Sequence, residues 1–151
     1  MLRIVLAIII GYLAIAMTIF IGLTSAYVVL GPEGVFQPGV FDLTTTWVVA
    51  AVGINIGAAV VGGIVCAIIA RRKSTPLIFA AIVFILGIAF AIPTIASYDA
   101  ESPARPNDIT MREAMMEGRQ PTWFAFSNPF IAGIGIILGA SLISKRNKPQ
   151  A

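Results

Sequence analysis

Four apolar runs without a single charge divide this chain: Ile4 to Leu30, Trp47 to Ala70, Pro76 to Ala96 and Trp123 to Ile143. At about 1.5 Å per residue, each is long enough as a helix to cross the ~30 Å hydrocarbon core of a bilayer. No water is available there to satisfy exposed peptide groups, so runs of this kind have to close their own hydrogen bonds as helices. The expected fold class is an all-α membrane protein, a bundle of four transmembrane helices with a short outer surface helix. It forms a single integral membrane domain over 1–151, with spans 4–30, 47–70, 76–96 and 123–143 and outer loops 31–46 and 97–122.

The charges between the runs give an orientation. Arg3, the cluster Arg71-Arg72-Lys73, and Lys145, Arg146 and Lys148 flank one side, whereas only Arg105, Arg112 and Arg119 lie on the other. The excess of basic residues beside short loops marks the cytoplasmic face, which places both termini in the cytoplasm. Tyr27, Trp47, Tyr98 and Trp123 stand at the opposite ends of the four spans, a pattern that suits an aromatic belt at the headgroup layer. All seven acidic residues fall in the two outer loops.

Composition narrows the function classes. With 151 residues, 58% of them hydrophobic and 11% charged, the chain holds one helical bundle and no separate soluble domain. The pI near 9.4 comes from basic residues close to span ends, so it reflects membrane anchoring and argues against a nucleic-acid partner. One cysteine, Cys66, excludes an internal disulfide, and the lack of histidine removes the commonest metal ligand and proton shuttle. No catalytic residue, metal or cofactor site is expected, and the chain is not read as an enzyme. The first apolar run is far longer than the 7 to 15 residues of a signal peptide's apolar core, so it is expected to stay as an uncleaved span.

Local signals in the loops are specific. Pro38-Gly39, between Phe36 and Phe41, suits the centre of a type II turn in a short apolar hairpin whose aromatic rings are expected to rest in the lipid interface. Pro103 and Pro106 mark an extended linker. Thr110-Met111-Arg112-Glu113 has the pattern of a capping box, and Gly118 supplies a stop before Pro121. Met111, Ala114 and Met115 would then share one face of a short helix lying on the outer membrane surface.

Within the spans, Ala51, Asn55, Ala58, Ala59, Gly62 and Cys66 gather on one face of the second run, and Asn128, Ala132, Gly135 and Gly139 on one face of the fourth. Small residues allow close helix approach, and an asparagine in lipid needs a partner across the contact. The second and fourth spans are therefore expected to pack on each other through Gly62, Cys66, Gly135 and Gly139. The stripes also match when the chain is shifted by 73 residues, as duplication of a two-helix hairpin would produce. Polar residues concentrate in the outer half, where Pro93 and Pro129 each free a backbone carbonyl. The expectation is a closed inner floor beneath a shallow outward-facing cavity, with Asn55, Thr94, Ser127 and Asn128 as its polar contacts.

Met115-Met116, Gln120-Pro121-Thr122-Trp123, Asn128-Pro129 and the run Gly133 to Ala140, together with Gly11-Tyr12 and Phe36-Gln37-Pro38-Gly39, resemble a group of small uncharacterised four-span bacterial inner-membrane proteins. The resemblance implies a multi-pass protein of the bacterial cytoplasmic (inner) membrane and no assigned activity. Two function classes follow. The first is a structural or accessory subunit that works through helix packing, with the lipid bilayer and a second copy or a membrane-complex subunit as partners. The second is a small-molecule or lipid binder or transporter that uses the outward-facing cavity.

Overall fold

The structure, a computed structural model, describes residues 2–72, 74–96, 104–106 and 110–146. Among the described residues there are five helices: α1 (Leu2–Val35), α2 (Thr45–Ala70), α3 (Thr75–Ala96), α4 (Met111–Glu117) and α5 (Thr122–Arg146). Four of them, all but α4, are long and apolar enough to cross a membrane, and no β-sheet is present among the described residues. The protein is an all-α, multi-pass membrane protein built as a four-helix bundle. Its long apolar side chains point outward, with Phe20 61% and Phe90 70% exposed. Surfaces of this kind belong against lipid.

The helix ends follow from local chemistry. Thr44 caps α2 by accepting the amide of Trp47 at 3.2 Å, and its hydroxyl donates to the carbonyl of Gly34 at 2.6 Å. Arg71, left-handed at φ 53°, closes the other end of α2 by donating its amide to Ala67. Arg3 reaches across from α1, its Nε donating to the carbonyl of Ile69 at 2.9 Å, so a cation meets the negative end of the α2 dipole. Gly31, at φ 64° and ψ 173°, breaks α1 in a conformation that a side chain would strain, and Pro32 then starts a final turn.

Spans that alternate in direction along the chain place Arg3, Arg71, Arg72 and Ser74 at one end of the bundle, the terminal end, and residues 31–44, 104–106 and 110–121 at the other, the loop end. In cross-section the order is α1, α2, α5, α3, each packed extensively on the next. α1 and α3 meet at the terminal end, where Gly11 faces the fully buried Phe79 ring, and part toward the loop end. The main core lies at this closed end, among Ala7, Ile15, Ala58, Ala59, Cys66, Phe79 and Ile136.

At the loop end, the turn expected at Pro38-Gly39 is formed. Val40 donates to the carbonyl of Gln37 across it, Gly39 has φ 75°, and Phe36 bridges Leu43. The expectation that Phe36 and Phe41 rest in the lipid interface is corrected. Both rings are buried, edge to face at 5.7 Å, with Val35, Tyr27, Leu30, Leu43 and Trp47 around them. Folding the hairpin back on α1 and α2 removes both rings from lipid and water together. Backbone bonds from Arg105 to Gly39, from Arg119 to Phe41 and from Leu43 to Arg119 fasten the second loop onto this hairpin.

Arg105 completes the cap. Its side chain is only 4% exposed, lies 5.9 Å from the Phe36 ring centroid and donates from Nη2 to Glu33, itself 76% exposed, at 2.9 Å. Its Nε and Nη1 are buried with no acceptor among the described residues. The capping box of α4 is also formed: Glu113 donates its amide to the Thr110 hydroxyl, and its carboxylate accepts from the Thr110 amide at 2.8 Å and hydroxyl at 2.9 Å. Those two donors hold the Glu113 carboxyl below the usual glutamate range. The apolar face expected from Met111, Ala114 and Met115 involves side chains outside the described set, as does Tyr98 of the expected belt.

Candidate functional site

The divergence of α1 and α3 leaves a groove of about 580 Å³ on the loop-end side of the Phe79 floor. Its back wall is α2 and α5, through Asn55, Ala59, Asn128 and Ala132, and its sides are α1 and α3. Phe20 and Phe90 stand at the gap between those two helices, so the groove faces the bilayer sideways. It runs from Tyr12 to Leu23 along α1 and from Val83 to Thr94 along α3, about 16 Å by helical rise or roughly half the hydrocarbon core.

The polar feature of this groove is an asparagine pair. Asn55 Nδ2 donates to Asn128 Oδ1 at 3.1 Å, between residues 73 positions apart in the sequence. Asn55 lies 8 residues into α2 from Trp47 and Asn128 lies 5 into α5 from Trp123, so the pair sits about 10 Å below the aromatic ends of those helices. Each amide keeps hydrogen-bonding capacity beyond the shared bond, and both residues line the groove half-buried. The loop-end rim adds Thr94 and Gln120. The Thr94 hydroxyl donates to the carbonyl of Phe90 at 3.2 Å, one turn earlier in its own helix.

Ser127 is not part of this lining. Its hydroxyl turns back along α5 and donates to the carbonyl of Trp123, the local bond a helical serine makes when no partner faces it. Of the four residues expected to contact a cavity, Asn55, Thr94 and Asn128 line this groove, and Gln120 lines it with them. Gln120 precedes α5 in an irregular segment, and helical periodicity gives no way to aim it.

The packing residues divide differently from the expectation. Gly135 and Gly139 do face α2: a Cβ on Gly135 would press into Ala59, and one on Gly139 would strike the carbonyl of Val60. Gly62 and Cys66 face α1 instead. A Cβ on Gly62 would collide with Ile15, and one on Gly11 would come to 3.2 Å from the Cys66 Cβ and 3.1 Å from the Phe79 ring. The glycine of α2 that meets α5 is Gly63, whose missing Cβ leaves room for the backbone of Ile136. The reason is geometric: α2 lies between two neighbours, and adjacent residues on a helix point about 100° apart. The doublet Gly62-Gly63 serves α1 with one residue and α5 with the other. Between α3 and α5, Gly87 of α3 accommodates Pro129 of α5.

The groove thus combines apolar walls, a lateral opening and a few convergent polar groups. Its volume falls in the range of small-molecule sites, about 300–1,000 Å³. Among the described residues, none that lines it is charged, and no cluster of metal-ligating side chains is present. Comparison with family models, with curated proteins and with solved structures finds no match to this chain.

Proposed function

We propose that the protein is a binding protein of the membrane interior, one that admits an amphiphilic molecule sideways between α1 and α3 and holds it against the Asn55–Asn128 pair. The observation that carries this reading is the groove itself: about 580 Å³ of space that faces lipid, with hydrogen-bonding amides at its back wall. A structural or accessory role is the leading expectation from the sequence; the groove moves the binding role ahead of it. Amides and hydroxyls recognise a ligand through hydrogen bonds and exchange no proton near neutral pH, so the role we assign is binding and not chemistry. We further read the terminal end as cytoplasmic, from its basic residues, and the membrane as the bacterial inner membrane, from the resemblance noted in the sequence. The groove then belongs to the outer leaflet.

The test is native mass spectrometry of the full chain released from its own membranes, beside the variant Ala16→Phe. Ala16 lines the groove and is exposed, so a phenyl ring there fills the site without entering the core. A retained small molecule in the wild type that is absent from the variant is the expected result. Equal retention by both proteins, or none by either, counts against the reading.

A second reading is favoured by one observation. Gly53 and Gly57, one turn apart on α2, are exposed with nothing within 4 Å of where a Cβ would stand. Such a pair on a lipid-facing helix allows another helix to approach closely, which suits the accessory-subunit or homo-oligomer role. Gly53→Leu with Gly57→Leu should then dissociate a complex seen by crosslinking in membranes, while leaving the monomer folded.

A further inference from the structure

We infer that the ligand of this groove is an uncharged amphiphile, with a compact hydroxyl- or carbonyl-bearing head on the asparagine pair and a chain running toward the Phe79 floor. The inference rests on the binding reading above and specifies the class of molecule bound. Three features define it.

The first is the chemistry of the back wall. The shared bond engages one N–H of Asn55 and the carbonyl of Asn128. The rest of the pair, the Asn55 carbonyl with its second N–H and the Asn128 amide donors, comprises both donors and an acceptor. A hydroxyl can satisfy both kinds of group, and a carbonyl can take the donors. A phosphate or carboxylate would find no cation among the described lining residues, none of which is charged. A charge held below the headgroup layer without a counter-ion is costly, so ionised heads are selected against.

The second feature is the direction of the site. Gly22 of α1 faces Ile54 of α2, and Gly62 of α2 faces Gly11 and Ile15 of α1, so Asn55 is level with the Phe20–Leu23 part of α1. Beyond that level, toward the terminal end, the walls include Ile15, Ala16, Ala59, Val83 and Ala132, apolar except for Tyr12 at the far end. That leaves the head at the loop end, near Gln120 and Thr94, and about 12 Å of wall for the chain. The third feature is the side opening between Phe20 and Phe90, level with the asparagine pair, through which an amphiphile enters from the bilayer.

The experiment follows thermal unfolding of the full-length protein in phosphatidylcholine nanodiscs, titrated with four probes. Monoolein and decylubiquinone are uncharged and carry hydroxyl and carbonyl heads respectively; oleate and lysophosphatidylglycerol are anionic. At least one uncharged probe should raise the melting temperature saturably, whereas the anionic probes should not. Asn128→Leu should weaken that effect about five- to tenfold, the loss of roughly one hydrogen bond. Asn128→Ser, which keeps a smaller polar group, provides a folded intermediate if leucine disrupts the bundle. Circular dichroism checks the fold of each variant.

Two failures are distinguishable. If the anionic probes saturate as well as the uncharged ones, and Ala16→Phe abolishes both, the groove binds amphiphiles but the proposed class is wrong. If no probe acts in a manner sensitive to Ala16→Phe, the binding reading itself falls.

Discussion

Replacing Asn55 or Asn128 by leucine strands the opposite amide in an environment poor in water. Interhelical hydrogen bonds of this kind are worth on the order of 1 kcal/mol in membranes, because the unfolded chain in lipid also finds partners. Each single variant should therefore lower stability by about that amount, and the double variant should cost clearly less than the sum. Steric-trap unfolding in bicelles measures the cycle; strict additivity would mean that the two amides do not depend on one another. Their spacing of 73 residues is also the shift at which the stripes of α2 and α5 match, and Gly63 and Ile136, which meet at the same interface, are separated by the same interval. A repeated hairpin would place equivalent residues opposite one another in this way.

At the scale of elements, the glycine doublet and the loop-end cap make separate predictions. Gly63→Ala and Gly139→Ala each push a methyl into a neighbouring backbone, at Ile136 and Val60 respectively, and should lower the melting temperature markedly. Gly53→Ala meets open space and gains helix propensity, so a monomer should be unchanged or slightly more stable. A thermal shift assay on the three variants checks the order; a larger loss at Gly53 would point instead to a helix packed there in the assembled protein. In the cap, Arg105 buries a guanidinium with two nitrogens unmatched among the described residues. Glu33→Ala would take away the acceptor of a third and should destabilise by about 1 kcal/mol, the low end of the range for a stranded buried donor because Glu33 is largely exposed and screened. Arg105→Met should be neutral or stabilising, since a thioether chain fills the same space over Phe36 without a charge to desolvate. A substantial loss with Arg105→Met, in the same assay, would show that the guanidinium is better satisfied than this geometry gives.

For the whole molecule, the asymmetric charge distribution makes a topological prediction. In a Cys66→Ala background, single cysteines at Pro38 and Met116 should react with a membrane-impermeant maleimide on intact cells, and one at Arg72 should not. Reaction at Arg72 alone would invert the orientation and move the groove to the cytoplasmic leaflet. The arrangement of the four spans gives that leaflet its importance: the bundle is closed through Gly11 and Phe79 at the terminal end and parts toward the loop end, so a molecule reaches the asparagine pair from one leaflet.

The four spans, the turn at Pro38-Gly39, the capping box at Thr110 and the need for Asn55 and Asn128 to find partners are all legible in the order of residues. These are set by short-range chemistry: uncharged length, backbone conformational preference, and the cost of an unpaired amide in lipid. The place of α2 between α1 and α5 emerges from the folded bundle, because a helix carrying small residues on two adjacent faces does not state which neighbour takes which face. Gly62 and Gly63 differ by about 100° around the helix axis, and that rotation directs one to α1 and the other to α5. The sideways opening of the groove, the recruitment of Gln120 and the joining of Arg105 to Glu33 across 72 residues likewise depend on contacts between distant segments. Helical periodicity places residues on one helix, whereas the gap between α1 and α3 arises from how four helices share their interfaces.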